Sequence, residues 1–296
     1  MRSYGPAGLV VIAMISVQSG AAVSTWMFDE IGPMGTAFTR LAWAAVFLLL
    51  WARPRLRGRG PGDLRVAATL GAMSAAMTIF YFLAVERIPL GVASALEFLG
   101  PLGVAIFGLR GRRLDLLWPT LAAVGVLALA RPWEGSADLV GLLFGALSGA
   151  CLGGYVVFTQ KVGDRFAGVD GLALSLTVAA LCAAPFGLPQ AVGHFSTTVV
   201  VGSAAAALLL PVLPYVLEMV ALRRLTTAAM GTLMSFEPGI AAVVGLVLLS
   251  QSMTLLQCFG LVCVVLASIG AVQRGRRPDA TPEPLDASAG VEAARR

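Results

Sequence analysis

Charge is scarce in this chain: only 12% of its 296 residues are Asp, Glu, Lys or Arg, against about 25% in a typical soluble domain. With 58% hydrophobic residues and a mean hydropathy of +0.86, that scarcity excludes a water-soluble fold. Histidine is scarcer still. His194 is the single one and falls in a predicted loop, so a histidine-based metal centre or catalytic triad has almost no material. Cys151, Cys182, Cys258 and Cys263 all lie inside apolar runs, where they act as small hydrophobes and not as a disulfide framework or metal set. The chain has no HExxH motif, no paired intramembrane aspartates and no phosphate-binding loop. Intramembrane enzyme chemistry and direct ATP drive are therefore unsupported, and no metal or cofactor is expected.

In place of charge the chain has apolar runs. A membrane helix needs about 20 mostly apolar residues, and the runs between charged or Pro/Gly-rich breaks give ten candidate spans: 6–27, 33–52, 64–85, 90–109, 115–131, 139–160, 171–190, 199–221, 228–249 and 254–273. The expected fold is an all-α membrane protein with ten transmembrane helices. The fifth span is short, and Pro185 and Pro189 break the seventh. Arg2 followed by the small residues Ala21 and Ala22 also fits a signal peptide, but the apolar stretch from Ala7 to Phe28 is longer than a signal core.

The net charge of +5 does not point to nucleic acid, because the arginines are dispersed between spans and form no single patch. They sort by side instead. With ten spans, Arg2, Arg53, Arg55, Arg57, Arg59, Arg65, Arg110, Arg112, Arg113, Lys161, Arg165, Arg223, Arg224, Arg274, Arg276 and Arg277 share one side, and only Arg87 and Arg131 fall on the other. The positive-inside rule then places both termini in the cytoplasm. Twenty arginines to one lysine hints at a GC-rich bacterial genome, hence a bacterial plasma membrane. Residues 274–296 are polar, Pro-rich and free of aromatics, as expected of a disordered cytoplasmic tail.

Sliding the chain on itself by 137 residues matches Arg87 with Arg224, Leu96 with Leu233, Pro101 with Pro238 and Gly108 with Gly245. Five helices per half is an odd number, so residues 1–136 and 137–273 read as repeats of inverted topology. That architecture lets one central site open alternately to each side of the membrane; duplication kept only for packing is the plainer reading. Gly141, Gly145, Gly149 and Gly153 strip one face of the sixth helix of side chains. Such a face suits close backbone approach, either as an internal seam or as a homodimer interface.

Four ionisable residues fall inside the spans: Arg40, Glu97, Glu218 and Glu237. A charge at mid-bilayer costs about 2.5 to 3.5 kcal/mol on insertion scales, so these residues must face a cavity, one another or the membrane edge. Pro101 lacks an amide hydrogen and frees the carbonyl of Glu97. Pro238 likewise frees that of Met234, with Glu237 immediately before the proline. A helix break beside a Glu in each half is the broken-helix pattern of transporter sites. Pro211 and Pro214 disturb the helix that carries Glu218, which is either a site residue or a salt-bridge partner of Arg223 and Arg224. The planar fork of Arg40 suits a carboxylate, whether of Glu97, of Glu237 or of a substrate. Gln18, Tyr81 and Tyr155 are neutral candidates for the same cavity. One arginine and three carboxylates carry a formal charge of −2 if all ionise, which a low-dielectric cavity disfavours; we expect at least one Glu to take up and release a proton between access states.

The segments IPLGVASALEFLGPLGVAIF (Ile88 to Phe107) and LPYVLEMVALRRLTTAAMGTLMSFEPGIAAV (Leu213 to Val243), with SVQSGAA near the start and TRL around Arg40, resemble the EamA-type branch of the drug/metabolite transporter superfamily, especially its threonine and homoserine exporters. The resemblance implies ten helices in two inverted halves and efflux of small amino acids or related metabolites, by proton exchange. It carries onto Glu97 with Pro101, Glu237 with Pro238, Glu218 and Arg40. Ser250-Gln251-Ser252 departs from the Gly-Glu that relatives commonly have before the last helix. The expected partners are a small-molecule substrate, protons and the lipid bilayer. Export of another metabolite or drug, uptake by the same fold, and a channel are the competing readings.

Overall fold

The computed structural model describes residues 4–54, 59–108, 117–131, 138–166, 169–194, 196–222, 224–225 and 227–274. Among the described residues every regular element is helical: α1 (Tyr4–Thr25), α2 (Phe28–Ala52), α3 (Pro61–Val85), α4 (Leu90–Glu97), α5 (Leu99–Gly108), α6 (Leu117–Ala130), α7 (Leu139–Gly163), α8 (Asp170–Ala191), α9 (Thr197–Ala207), α10 (Leu213–Leu222), α11 (Thr227–Met234), α12 (Glu237–Leu249) and α13 (Leu255–Arg274). α4 with α5, α9 with α10 and α11 with α12 each make one interrupted pass, giving the ten expected. Eight passes are long and apolar enough to cross a bilayer, and α4–α5 and α6 are shorter. Large apolar side chains such as Leu255, Val247, Leu139 and Leu181 stand outward, as lipid-facing surface requires. Apart from Arg274, the expected tail lies outside the described residues.

Local chemistry sets the helix ends. Asp138 caps α7, its Oδ1 accepting from the Gly141 amide at 2.8 Å, and Ser196 caps α9 by accepting from the Val199 amide. Thr254 and Gln257 form a reciprocal capping box at α13. The Gly141 amide first, and then Arg87 at 3.3 Å, hold the Asp138 carboxyl below the usual carboxylate range. Gln251, in the loop that departs from the family pattern, accepts from the Leu90 amide at 2.9 Å and ties the end of α12 to the start of α4.

Each pass of the first half packs chiefly on one from the second: first on eighth, second on seventh, third and fourth on sixth, and fifth on tenth. Helix bounds recur with the same spacing, since adding 137 to Leu90–Glu97 gives Thr227–Met234. The glycine ladder of α7 is buried against α4 and α5. A Cβ on Gly149 would stand 2.6 Å from the Leu96 carbonyl, and one on Gly100 would overlap the Gly149 carbonyl. The ladder is thus the internal seam of the two readings.

One expectation is corrected: Pro185 and Pro189 do not break the seventh pass, because α8 runs unbroken from Asp170 to Ala191. Ala179, Ala183, Gly187 and Ala191 form a buried small-residue stripe, and Gly187 lies so close to Met34 and Phe38 of α2 that no Cβ fits. Packing along that stripe holds the helix through the two missing hydrogen bonds. An unforeseen bend lies instead in α2, at Gly32 (φ 66°, ψ 170°) just before Pro33.

Candidate functional site

Three of the predicted interruptions build one cavity. α4 ends at Glu97 and α5 begins at Leu99, with Pro101 in its first turn; α11 ends at Met234 and α12 begins at Glu237, followed by Pro238. Between α9 and α10 the chain makes a π-helical turn, Leu208–Val212, in which Leu210 leaves helical geometry (φ −153°, ψ 112°) beside Pro211. Ser16 of α1 satisfies the displaced Leu209 carbonyl at 2.7 Å. These breaks flank a cavity of about 490 Å³. All seven predicted site residues line it, brought together from seven different passes: Gln18, Arg40, Tyr81, Glu97, Tyr155, Glu218 and Glu237. Pro101, Pro211 and Pro214 also face it, whereas Pro238 is buried behind the wall.

Arg40 is 5% exposed. Its Nη2 donates to Thr78 Oγ1 at 3.2 Å, and the Phe82 ring lies 4.6 Å from the guanidinium carbon. Nε and Nη1 have no partner, and among the described residues no carboxylate comes within 4 Å of the guanidinium. Of the three partners considered for Arg40, Glu97 and Glu237 are therefore not in contact with it. Thr78 uses one hydrogen of Nη2, so one two-pronged edge of the fork stays open. A buried cation with free donors beside a cavity of this size is chemically suited to an anion.

Glu97 Oε1 accepts from Ser148 Oγ at 2.7 Å, and the same hydroxyl is 3.1 Å from the Met77 carbonyl. One hydroxyl hydrogen serves one acceptor at a time. Ser148 donates to an ionised Glu97, or accepts from a protonated Glu97 and donates to Met77, so the site accommodates either form of the acid. Gln18 links the other side: its Nε2 donates to Glu237 Oε1 at 3.0 Å, and its Oε1 accepts from the Tyr81 hydroxyl at 3.4 Å. Glu218 sits on the cavity wall and makes no ion pair with Arg224; Arg223 lies outside the described residues.

The two ends of the cavity differ. Gln18 and Tyr81 are buried, while Tyr155, Tyr215 and Glu218 are half-buried. Beside these three the wall runs on to Leu172, Ala271 and Val272, close to helix ends on the side that carries both termini. The cavity opens to that side. At the other, Phe82, Val85, Leu90 and Val92 pack it shut.

A family model described as the EamA-like transporter family matches residues 139–273. The threonine/homoserine exporter RhtA of Escherichia coli (strain K12) is 35% identical over 283 residues, covering 94% of each chain, and the exporter of the same name from Salmonella typhimurium (strain LT2) is 35% identical over 278 residues, covering 92% of each. The chain belongs to the EamA-like transporter family. A solved crystal structure of an 18% identical protein overlays 94% of this chain and all of its own with a TM-score of 0.59, which shows a shared fold. The protein is thus a multi-pass membrane transporter, and the cavity is where a small-molecule substrate of an EamA-like transporter has room to bind.

Sequence reasoning missed Thr78, Phe82, Ser148 and Tyr215. Ser148 had a readable signal, a lone hydroxyl next to Gly149 of the ladder. Thr78 had none, since its contact with Arg40 joins helices 38 residues apart in sequence.

Proposed function

We propose that the protein is a secondary active transporter that exports small amino acids of the threonine and homoserine kind, or related metabolites, by proton antiport with alternating access. The single observation that carries this reading is Arg40, a buried guanidinium with an open edge in a cavity it shares with three carboxylates. In this reading the open edge takes the substrate carboxylate, and an acid of the same cavity faces the ammonium. Glu97, paired with the adaptable Ser148 hydroxyl, carries the proton, holding it in one access state and releasing it in the other. Residues 1–136 and 137–273 are the two inverted halves that exchange conformations. Both termini are cytoplasmic by the arginine distribution, so the cavity described here opens inward. The names of the two relatives support the substrate class, and threonine or homoserine export is stated of them.

The test is counterflow of labelled amino acids in proteoliposomes, with and without a pH step. Strong threonine or homoserine exchange, accelerated by the step, is the expected result. The apolar part of the wall, including Leu41, Leu102, Leu152 and Leu176, favours a second reading, export of a bulkier apolar metabolite or drug. A blank across amino acids selects it.

A further inference from the structure

The cavity wall itself carries the 137-residue spacing. Seven pairs of lining residues are separated by that offset, among them Gln18 with Tyr155, Thr78 with Tyr215, Tyr81 with Glu218 and Glu97 with Met234. Equivalent positions of the two halves therefore face each other across one space. In an inverted repeat, whatever one half does at one end in one access state, the other half does at the opposite end in the other.

At the closed end, the pair from the first half is engaged. Gln18 of α1 and Tyr81 of α3 are both buried, and the tyrosine hydroxyl donates to the amide oxygen. The equivalent pair from the second half, Tyr155 of α7 and Glu218 of α10, stands at the open end, half-buried and with no hydrogen bond between the two side chains. The chemistry of the pairs corresponds even though the residues do not. Each joins one tyrosine hydroxyl to one side-chain oxygen acceptor, with donor and acceptor exchanged between the equivalent helices. An asymmetric pair of this kind, one half made and the other open, is what a two-state element looks like when caught in one state.

We propose that Tyr155 and Glu218 form the terminus-side gate: in the opposite access state the Tyr155 hydroxyl donates to the Glu218 carboxylate and closes the end that is open here, while the Gln18–Tyr81 contact parts. The proposal rests on the two-half reading given above, and it is independent of which substrate is carried.

The experiment replaces Cys151, Cys182, Cys258 and Cys263 with Ser and adds Tyr155→Cys with Glu218→Cys. A short bifunctional methanethiosulfonate bridges the pair in the purified full-length protein, and backbone hydrogen exchange is followed by mass spectrometry. Bridging is expected to abolish the protection of segment 82–96 at the closed end and to increase protection of 215–222, with both changes reversed by a reductant. The reference protein carries Gln18→Cys with Tyr81→Cys, and bridging that pair is expected to leave segment 82–96 protected. The proposal is overturned if the Tyr155/Glu218 cysteines each react with a monofunctional reagent yet never bridge, or if they bridge with exchange at 82–96 unchanged. Neither readout uses a substrate. A reciprocal lock in a protein that fails to exchange threonine removes the amino-acid reading alone, and threonine exchange without the lock removes the gate alone.

Discussion

Replacing Arg40 with methionine leaves an unbranched apolar side chain, two atoms shorter, and removes the guanidinium with its donors, so comparing ligands with and without a carboxylate isolates what the guanidinium gives to a ligand. One edge of the fork is open, and a hydrogen bond to a charged group contributes about 1.5 to 3 kcal/mol. Taking two such bonds at the lower figure gives about 3 kcal/mol, which corresponds to roughly 150-fold in affinity at 1.4 kcal/mol per decade. The assay is competition against labelled L-threonine by L-threonine itself and by L-threoninol, which keeps the amine and side chain but lacks the carboxylate. The native protein is expected to prefer threonine by about two decades, and Arg40→Met to bind the two alike. Arg40→Lys, a point charge without the fork, is expected to retain about one decade of preference. If Arg40→Met discriminates as strongly as the native protein, the carboxylate sits elsewhere and the assignment of Arg40 fails.

Gly149→Val is expected to destabilise the protein by about 1 to 3 kcal/mol, because its Cβ would meet the Leu96 carbonyl at 2.6 Å, whereas Gly103→Ala in neighbouring α5 meets nothing within 4 Å and is expected to be neutral; thermal unfolding in detergent measures both. Gln18→Leu deprives both Glu237 and the Tyr81 hydroxyl of a partner, and a loss of about 1 to 3 kcal/mol is expected in the same assay. The Asp138 carboxyl is held below its usual range in the fold. Its stabilising effect is therefore complete above the unfolded value of about 3.9 and is lost as pH falls through the lower folded value. Melting temperatures of the native protein and Asp138→Asn are expected to differ at neutral pH and to converge in acid.

How much could be read in advance depended on whether the signal was local. Pro101 and Pro238 remove hydrogen bonds from defined carbonyls, so the breaks at Glu97 and Glu237 followed from covalent chemistry, and membrane cost then forced the buried charges into a common space. Pro185 and Pro189 carry the same local signal with the opposite outcome. Whether a freed carbonyl ends a helix depends on the neighbour, here α2 packed along Ala179, Ala183 and Gly187, and no single-helix argument contains that neighbour. The bend at Gly32 was missed because it falls just ahead of the apolar run that defined the second span. Arg40 had three partners open to it from sequence, and only the geometry showed its guanidinium joined to Thr78 and Phe82, with no carboxylate in contact.

Central to all of this is that substrate and proton share the one cavity, with Glu97 as the proton carrier. The most direct test compares two fluxes of Glu97→Gln in proteoliposomes: threonine counterflow at equal pH, and threonine accumulation driven by a pH step. Counterflow that persists while the step no longer drives accumulation is the predicted result, since the amide keeps its Ser148 contact and cannot exchange a proton. Gradient-driven accumulation equal to that of the native protein would contradict it.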